Sequence, residues 1–262
     1  MDVHERRKFI AEQVATHGEV EFGKLAEFCD VSEMTIRRDI ETLEQAGTLR
    51  RVVGGAIAVI GTAQEPPFQS RASAAALEKE HIAGAVVDLL SPGETVALDS
   101  GSTVLSVARE IRRREIPLTV ITPSVLVGLE LSDCDFIKVH LLGGLLRPGE
   151  LSLIGSETVE QFNRFNCDTA ILGVAGVDVS GGISDYHYDE AYVKKSAIRA
   201  ARRTIVAADR SKLGRSSLIK ISELEGISAI VTDGSERHPT LVEAQNRGVS
   251  VTTVQRREGV QS

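Results

Sequence analysis

No stretch of this 262-residue chain approaches the roughly 18 consecutive apolar residues that a membrane-spanning helix needs, and its opening, MDVHERRKFIAEQ, is charged where a secretory leader has an apolar centre. Neither membrane insertion nor export is expected, and the reading is cytoplasmic. Cysteine is scarce: Cys29, Cys134 and Cys167 are far apart and form no CxxC or Cys/His cluster. A disulfide framework and a zinc site are therefore not expected, and all three read as small buried thiols. The six histidines are scattered without ligand spacing, so no metal and no cofactor is expected. Net positive charge is lacking too, the formal balance being −7. Any nucleic-acid reading must therefore rest on local basic clusters. No internal repeat or low-complexity tract is present.

What is present divides at about residue 60. Phe9, Ile10, Val14 and Ala15 recur near helical spacing before His17-Gly18, which predicts a first helix over 4–16. A shorter pattern with Phe22, Leu25, Ala26 and Phe28 follows. Ser32 can cap a third helix from Glu33 to about Ala46, whose apolar side is Ile36, Ile40 and Leu43 and which Gly47 ends. Two β-compatible runs, Thr48–Val53 and Ala56–Ile60, flank Gly54-Gly55 and predict a hairpin, or wing. Residues 61–76 contain Pro66-Pro67 and many small residues, the composition of a linker.

Within residues 1–60, basic side chains cluster at Arg37-Arg38 and Arg50-Arg51, with Arg6-Arg7-Lys8 near the start. With Ile36 and Ile40 turned inward, Ser32, Thr35, Arg37 and Arg38 can project outward near the helix start. Arginine either binds phosphate or forks onto a guanine edge, which suits a recognition helix in a major groove. An isolated Arg-Arg pair is more often a solvated helix face. The short preceding helix, the turn, the capping serine and a hairpin bearing Arg50 and Arg51 complete a winged helix-turn-helix and reverse that balance.

From residue 77 onward, a helix over 77–90 is followed by β-rich runs at Thr95–Leu98, Leu118–Thr122, Ile137–Leu142, Thr169–Val174, Thr204–Ala208, Ala229–Thr232 and Val249–Val254, with helical patterns between them. The fold class is therefore α/β, a mostly parallel sheet covered by helices, behind a winged helix-turn-helix domain. The first of these strands runs into Asp99-Ser100-Gly101-Ser102-Thr103 and then a helix. Such a turn either cradles a phosphate with its amides and hydroxyls or merely caps the helix. Gly143-Gly144, Lys194-Lys195 and Asp209 with Lys212 are the other candidates; most lie at strand ends, where ligands of open α/β sheets bind. The glycines are more often plain turn formers. Asp209 and Lys212 can bind a ligand or form a structural ion pair. His187, between Tyr186 and Tyr188, can line a pocket.

The run VSEMTIRRDIETLEQAGTLRRVVGGA resembles the N-terminal signature of the DeoR family of bacterial transcription regulators. EPPFQSR, KEHIAGAV, DSGST, LLGG and AADRSKLG follow in that family's order, so the resemblance spans nearly the whole chain. It implies that Ser32, Thr35, Arg37 and Arg38 face a double-stranded DNA operator. It also implies an effector domain similar in fold to ribose-5-phosphate isomerase and to CoA transferases, answering to a phosphorylated sugar held by the DSGST turn. Lys194 matches a family lysine, whereas Lys195 occupies a more variable position. Val53 stands where a histidine is usual, and Thr122-Pro123-Ser124 where Thr-Asn-Ser is usual. The expectation is a homo-oligomeric repressor of sugar-metabolism genes, with domains 1–60 and 77–262. A sugar-phosphate isomerase with an attached DNA-binding domain is the alternative, with Asp99, Asp209 and Lys194 as its acid–base groups.

Overall fold

The computed structural model describes residues 2–45, 49–58 and 65–254, leaving the side chains of 15, 16, 45 and 58 aside. The expected end of the third helix, the start of the first wing strand, the end of the second and the first residues of the linker lie outside the described residues. The chain divides into two units, Met1–Ala74 and Ala75–Ser262.

In the first unit, Asp2 opens α1 (Val3–His17) with a capping box: its carboxylate accepts from the His4 and Glu5 amides while Glu5 accepts from the Asp2 amide. Gly18 ends the helix at φ 79°. There follow β1 (Glu19–Glu21), α2 (Phe22–Cys29), α3 (Glu33–Gln45), β2 (Leu49–Val52), β3 (Gly55–Ala58) and α4 (Phe68–Ser73). The apolar stripes meet in one core, in which Ile10, Phe22, Leu25, Ile36, Ile40 and Leu49 are buried and Leu43 packs alongside. The short strand β1 joins the wing as an antiparallel sheet of order β1-β3-β2. Three residues carry no periodic signal, so it was not expected from sequence.

The wing turn differs in detail from the expectation. Val53 and Gly54 form it, with Gly54 at φ 85°. Gly55 already pairs within β3, and a Cβ there would lie 2.0 Å from the Val20 carbonyl oxygen. The first glycine thus serves conformation and the second serves space. Residues 68–73, read as linker, form α4 instead.

The second unit runs α5 (Ala76–Val87), β4 (Thr95–Leu98), α6 (Ser102–Arg114), β5 (Leu118–Thr122), α7 (Val125–Leu131), β6 (Ile137–Leu141), β7 (Leu145–Arg147), β8 (Ser152–Ile154), α8 (Ser156–Phe162), β9 (Cys167–Gly173), β10 (Gly176–Asp178), β11 (Gly182–Asp185), α9 (Tyr188–Ala200), β12 (Ala201–Ala207), β13 (Ile219–Ser222), β14 (Ala229–Thr232), α10 (Pro239–Asn246) and β15 (Ser250–Thr253). Seven strands form one parallel sheet in the order β15-β14-β12-β9-β4-β5-β6. Its central strands are buried on both faces, as a parallel sheet under helices requires. These are the β-rich runs read in the sequence. The β7–β8 hairpin and the small sheet β10-β11-β13 were not read, their strands being three residues long or, in GISD and IKIS, broken by polar residues.

Strand order places the site. The chain leaves β4 toward β5 and β6 on one side and returns to β9, β12, β14 and β15 on the other. The order therefore reverses between β4 and β9. At such a switch point the connections leave in opposite directions and open a crevice beyond the carboxyl ends. Asp99 follows β4 there, and Gly173 ends β9. Among the described residues no helix is long and apolar enough to cross a membrane, and the three cysteines are buried and unpaired.

Candidate functional site

In the first unit, the Ser32 hydroxyl caps α3 by accepting from the Thr35 amide at 3.2 Å, and the two hydroxyls lie 3.0 Å apart. Arg37 is exposed but held: its guanidinium lies over the Phe22 ring at 4.7 Å and 3.4 Å from the Glu33 carboxylate. Arg38 is exposed and makes no ion pair among the described residues. On the wing the same division recurs. Arg51 is tied to α3 by a 2.6 Å ion pair with Glu41 and by its amide to Glu44 at 2.8 Å, whereas Arg50 is exposed and unpaired among the described residues.

The third basic cluster has another job. Arg6 and Arg7 each donate through Nε to the buried Asp39 carboxylate at 2.7 Å. Asp39 lies on α3 beside Ile40, so this pair of bonds fixes α3 to α1. The two arginines are structural.

In the second unit, Asp99, Ser100, Ser102 and Thr103 are buried, and Gly101 takes φ 110° as the N-cap of α6. A side-chain cap is missing there. Asp99 turns instead across the switch point, where Oδ2 accepts from the Gly173 amide at 3.1 Å and from the Lys194 ammonium. The Asp99 carboxylate is thus engaged across the switch point.

Lys194, projecting inward from α9, is a charge hub. Its ammonium also donates to the Gly173 carbonyl at 3.0 Å and lies 3.3 Å from Asp185 Oδ2. Glu190, one turn earlier, accepts from the Ser152 hydroxyl at 2.5 Å and pairs with Arg147 at 2.9 Å. Burial pushes the Asp99 carboxyl up to about 6, although Lys194 opposes the shift. Burial works against the Lys194 charge too, but the carboxylates of Asp99, Asp185 and Glu190 outweigh it and hold the ammonium above the usual lysine range. Lys195 points elsewhere, its ammonium 5.0 Å from the Tyr192 ring.

Asp209 follows β12 and caps a short 3-10 turn by accepting from the Ser211 amide at 2.9 Å. Burial alone would raise its carboxyl, but Lys212, Ser211 and Lys79 bring it below the ordinary value. Lys212 is half-buried beside it. Gly143 and Gly144 are engaged with α8: the Gly143 amide donates to Gln161 at 2.9 Å, and its carbonyl accepts from Thr158 at 2.8 Å. Gly144, at φ 148°, has no room for a Cβ, which would lie 2.0 Å from the Thr158 hydroxyl. At the other family departure, Ser124 is buried and caps α7, its hydroxyl accepting from Val127 at 3.2 Å.

Sequence reasoning brought Asp99 and Lys194 into one site but missed Asp185, Glu190, Arg147 and Lys79. The available signal was charge inside β-rich or helical runs that must be buried, as in GISDYHYDE. In the same run, the Tyr186 hydroxyl and His187 Nδ1 are buried without a hydrogen-bond partner. Among the described residues no cluster of His, Cys, Asp and Glu has metal-binding geometry.

Comparison with known proteins bears on both units. Residues 6–60 match the model of the DeoR-like helix-turn-helix domain, and residues 74–234 that of the DeoR C terminal sensor domain. The chain is 31% identical to a putative aga operon transcriptional repressor of Escherichia coli, covering 95% of this chain and 93% of that protein. It is 30% identical to the glycerol-3-phosphate regulon repressor of Escherichia coli over 87% of this chain and 90% of that one. The HTH-type transcriptional repressor GlcR of Bacillus subtilis is 30% identical, with 97% and 98% covered. A solved ribose 5-phosphate isomerase of Methanocaldococcus jannaschii aligns with TM-score 0.40 at 20% identity, covering 53% of this chain and 55% of that one. The three repressors, which match nearly the whole chain, are regulators rather than enzymes, and this decides against the isomerase alternative. With both domain models matched in order and similarity running the length of the chain, the protein belongs to the DeoR family of transcriptional regulators, binding DNA through its helix-turn-helix and sensing an effector through its C-terminal domain.

Proposed function

We propose that this regulator is a cytoplasmic repressor of sugar-metabolism genes that leaves its double-stranded operator when a phosphorylated sugar occupies the sensor domain. The observation that carries this reading is the glycine-led start of α6 at the switch point, beside the buried Asp99–Lys194 pair. Backbone amides at a helix start favour a phosphate, and the Ser102 and Thr103 side chains lie on the same turn. Lys212 supplies positive charge. Asp209, the Tyr186 hydroxyl and His187 Nδ1 offer partners for sugar hydroxyls. The names of the aga operon and glycerol-3-phosphate regulon repressors point in the same direction.

On the DNA side, Ser32, Thr35, Arg37 and Arg38 enter the major groove, and Arg50 and Arg51 of the wing meet phosphates. One small domain buries little DNA surface, so two or more copies bind paired half-sites as a homo-oligomer.

A thermal-shift and operator-binding screen over phosphorylated sugars and their unphosphorylated parents tests this. The expected result is one phosphosugar that stabilises the protein and weakens operator binding, its parent sugar doing neither. Ser102→Glu, which sets a carboxylate where the phosphate belongs, should bind operator and ignore that phosphosugar. A screen in which no phosphosugar changes operator affinity overturns the reading.

A further inference from the structure

Glu78 and Lys79 are neighbours in the first turn of α5, and both are largely withdrawn from solvent: Lys79 is 4% exposed and the Glu78 side chain 15%. Two neighbours after β12 meet their charges in crossed order. Lys79 helps hold the Asp209 carboxyl below its ordinary range, and Glu78 Oε1 lies 3.8 Å from Arg210 Nη2. Arg210 is itself anchored to the loop after β14. Its amide donates to Asp233 Oδ1 at 2.6 Å, and its Nε lies 3.6 Å from Oδ2. The loops beyond two adjacent strands of the sheet are therefore fastened to one turn of helix.

That turn occupies a particular place in the chain. Helix α5 begins directly after Ala75, which is left-handed at φ 51° and ψ 39°, and the first unit ends at Ala74. A non-glycine residue held left-handed is strained and persists only where its surroundings fix it. The crossed pairs thus lie within about one helical turn of the junction through which the sensor is covalently joined to the DNA-binding unit.

We propose that Glu78 and Lys79 are positioning residues that convey occupancy of the sensor to the DNA-binding unit. The inference rests on the effector reading of Asp209 and Lys212 given above. A phosphate drawn to Lys212 brings negative charge beside Asp209, whose carboxyl already feels the Lys79 charge. The balance of the crossed pairs then differs between empty and occupied states, and with it the hold on the start of α5. An exposed ion pair contributes little to stability. Coupling needs only that its strength differ between two states, and it acts equally in both directions.

The test uses full-length protein, an operator selected from random duplexes, and glucose 6-phosphate, fructose 1-phosphate and glycerol 3-phosphate as probes. Phosphosugar affinity is read by calorimetry and operator affinity by anisotropy, with and without the probe that binds. The parent should lose operator affinity by a factor of about five to 150 on binding the probe. Glu78→Gln and Arg210→Gln should keep both separate affinities within about threefold while the ligand effect falls below about twofold. The double exchange Glu78→Arg with Arg210→Glu should restore it, whereas a merely structural role would show in the two separate affinities instead. The proposal is overturned if the single variants keep the parent's ligand effect, if they lose phosphosugar affinity itself, or if the exchange restores nothing. A parent that binds none of the three probes overturns the effector reading for this ligand class and removes the basis of the inference with it.

Discussion

Lys194 and Asp99 stand 95 residues apart in the chain and form a buried ion pair across the switch point, with Asp185 sharing the same ammonium at 3.3 Å. Lysine here is a structural counter-charge before it is a ligand group. Lys194→Met leaves two carboxylates buried without their cation, and breaking a buried pair in this way costs about 3–5 kcal/mol. Urea denaturation of the sensor unit should show that loss, with part of it recovered in the Asp99→Asn, Lys194→Met double variant. A single variant as stable as the parent would contradict the hub.

Asp99 also predicts a pH dependence. Its folded value of about 6 lies above the ordinary 3.8, so the folded state binds the proton more tightly. The stability this group contributes is fully present below the unfolded value and is lost as pH rises through about 6. Other carboxylates titrate over the same range, so the comparison must be with Asp99→Asn. The stability of the parent minus that of the variant should fall from pH 4 toward pH 7, and a difference that rises refutes the assignment.

Among the described residues, Arg38 and Arg50 make no ion pair, unlike their neighbours Arg37 on α3 and Arg51 on the wing. Arg38→Ala should weaken operator binding by about 1–3 kcal/mol and random DNA by less, the mark of a base contact. Arg50→Ala should weaken all sequences alike and reduce the salt slope by about one. Titrations of both duplexes at two salt concentrations separate the two. Unchanged binding in the double variant would remove α3 and the wing from the interface.

Asp39 receives two arginines and lies on the same helix as Arg38. Asp39→Ala strands the buried Arg6 guanidinium, a loss of about 3–5 kcal/mol by the same reasoning. The first unit should melt earlier and lose operator binding while phosphosugar affinity is kept. Retained operator binding with an unchanged melting profile would show that α1 and α3 are held by their apolar core alone.

Sequence revealed what repeats over many residues. The inward stripe of Ile36 and Ile40 and the apolar run Ala229–Thr232 each bury a continuous face, so periodicity announces them. What it did not reveal is local or distant. Leu145–Arg147 is only three residues long, and Gly182–Asp185 surrounds its single apolar residue with Gly, Ser and Asp, so neither offers an apolar run. Asp185 could not be read as a partner of Lys194, because the two meet Asp99 only through strand order, and Glu190, four residues before Lys194 on α9, was legible only once that face of the helix was known to be buried. Arg6 and Arg7 mislead for a related reason: a basic cluster and a structural clamp look alike until the acceptor 32 or 33 residues away is known.

The strand order has a consequence for synthesis. Among the described residues, the core cluster of the DNA-binding unit joins positions between Phe9 and Ala56, and such local topologies collapse early. The floor of the sensor instead requires β9 to insert against β4, a pairing across more than 70 residues. Lys194 must then arrive from still further along the chain. A ribosome-bound chain therefore presents a finished DNA reader well before any effector crevice exists, and its domains mature in the order in which they emerge. Truncated or stalled products of this gene would carry the helix-turn-helix unit without the sensor.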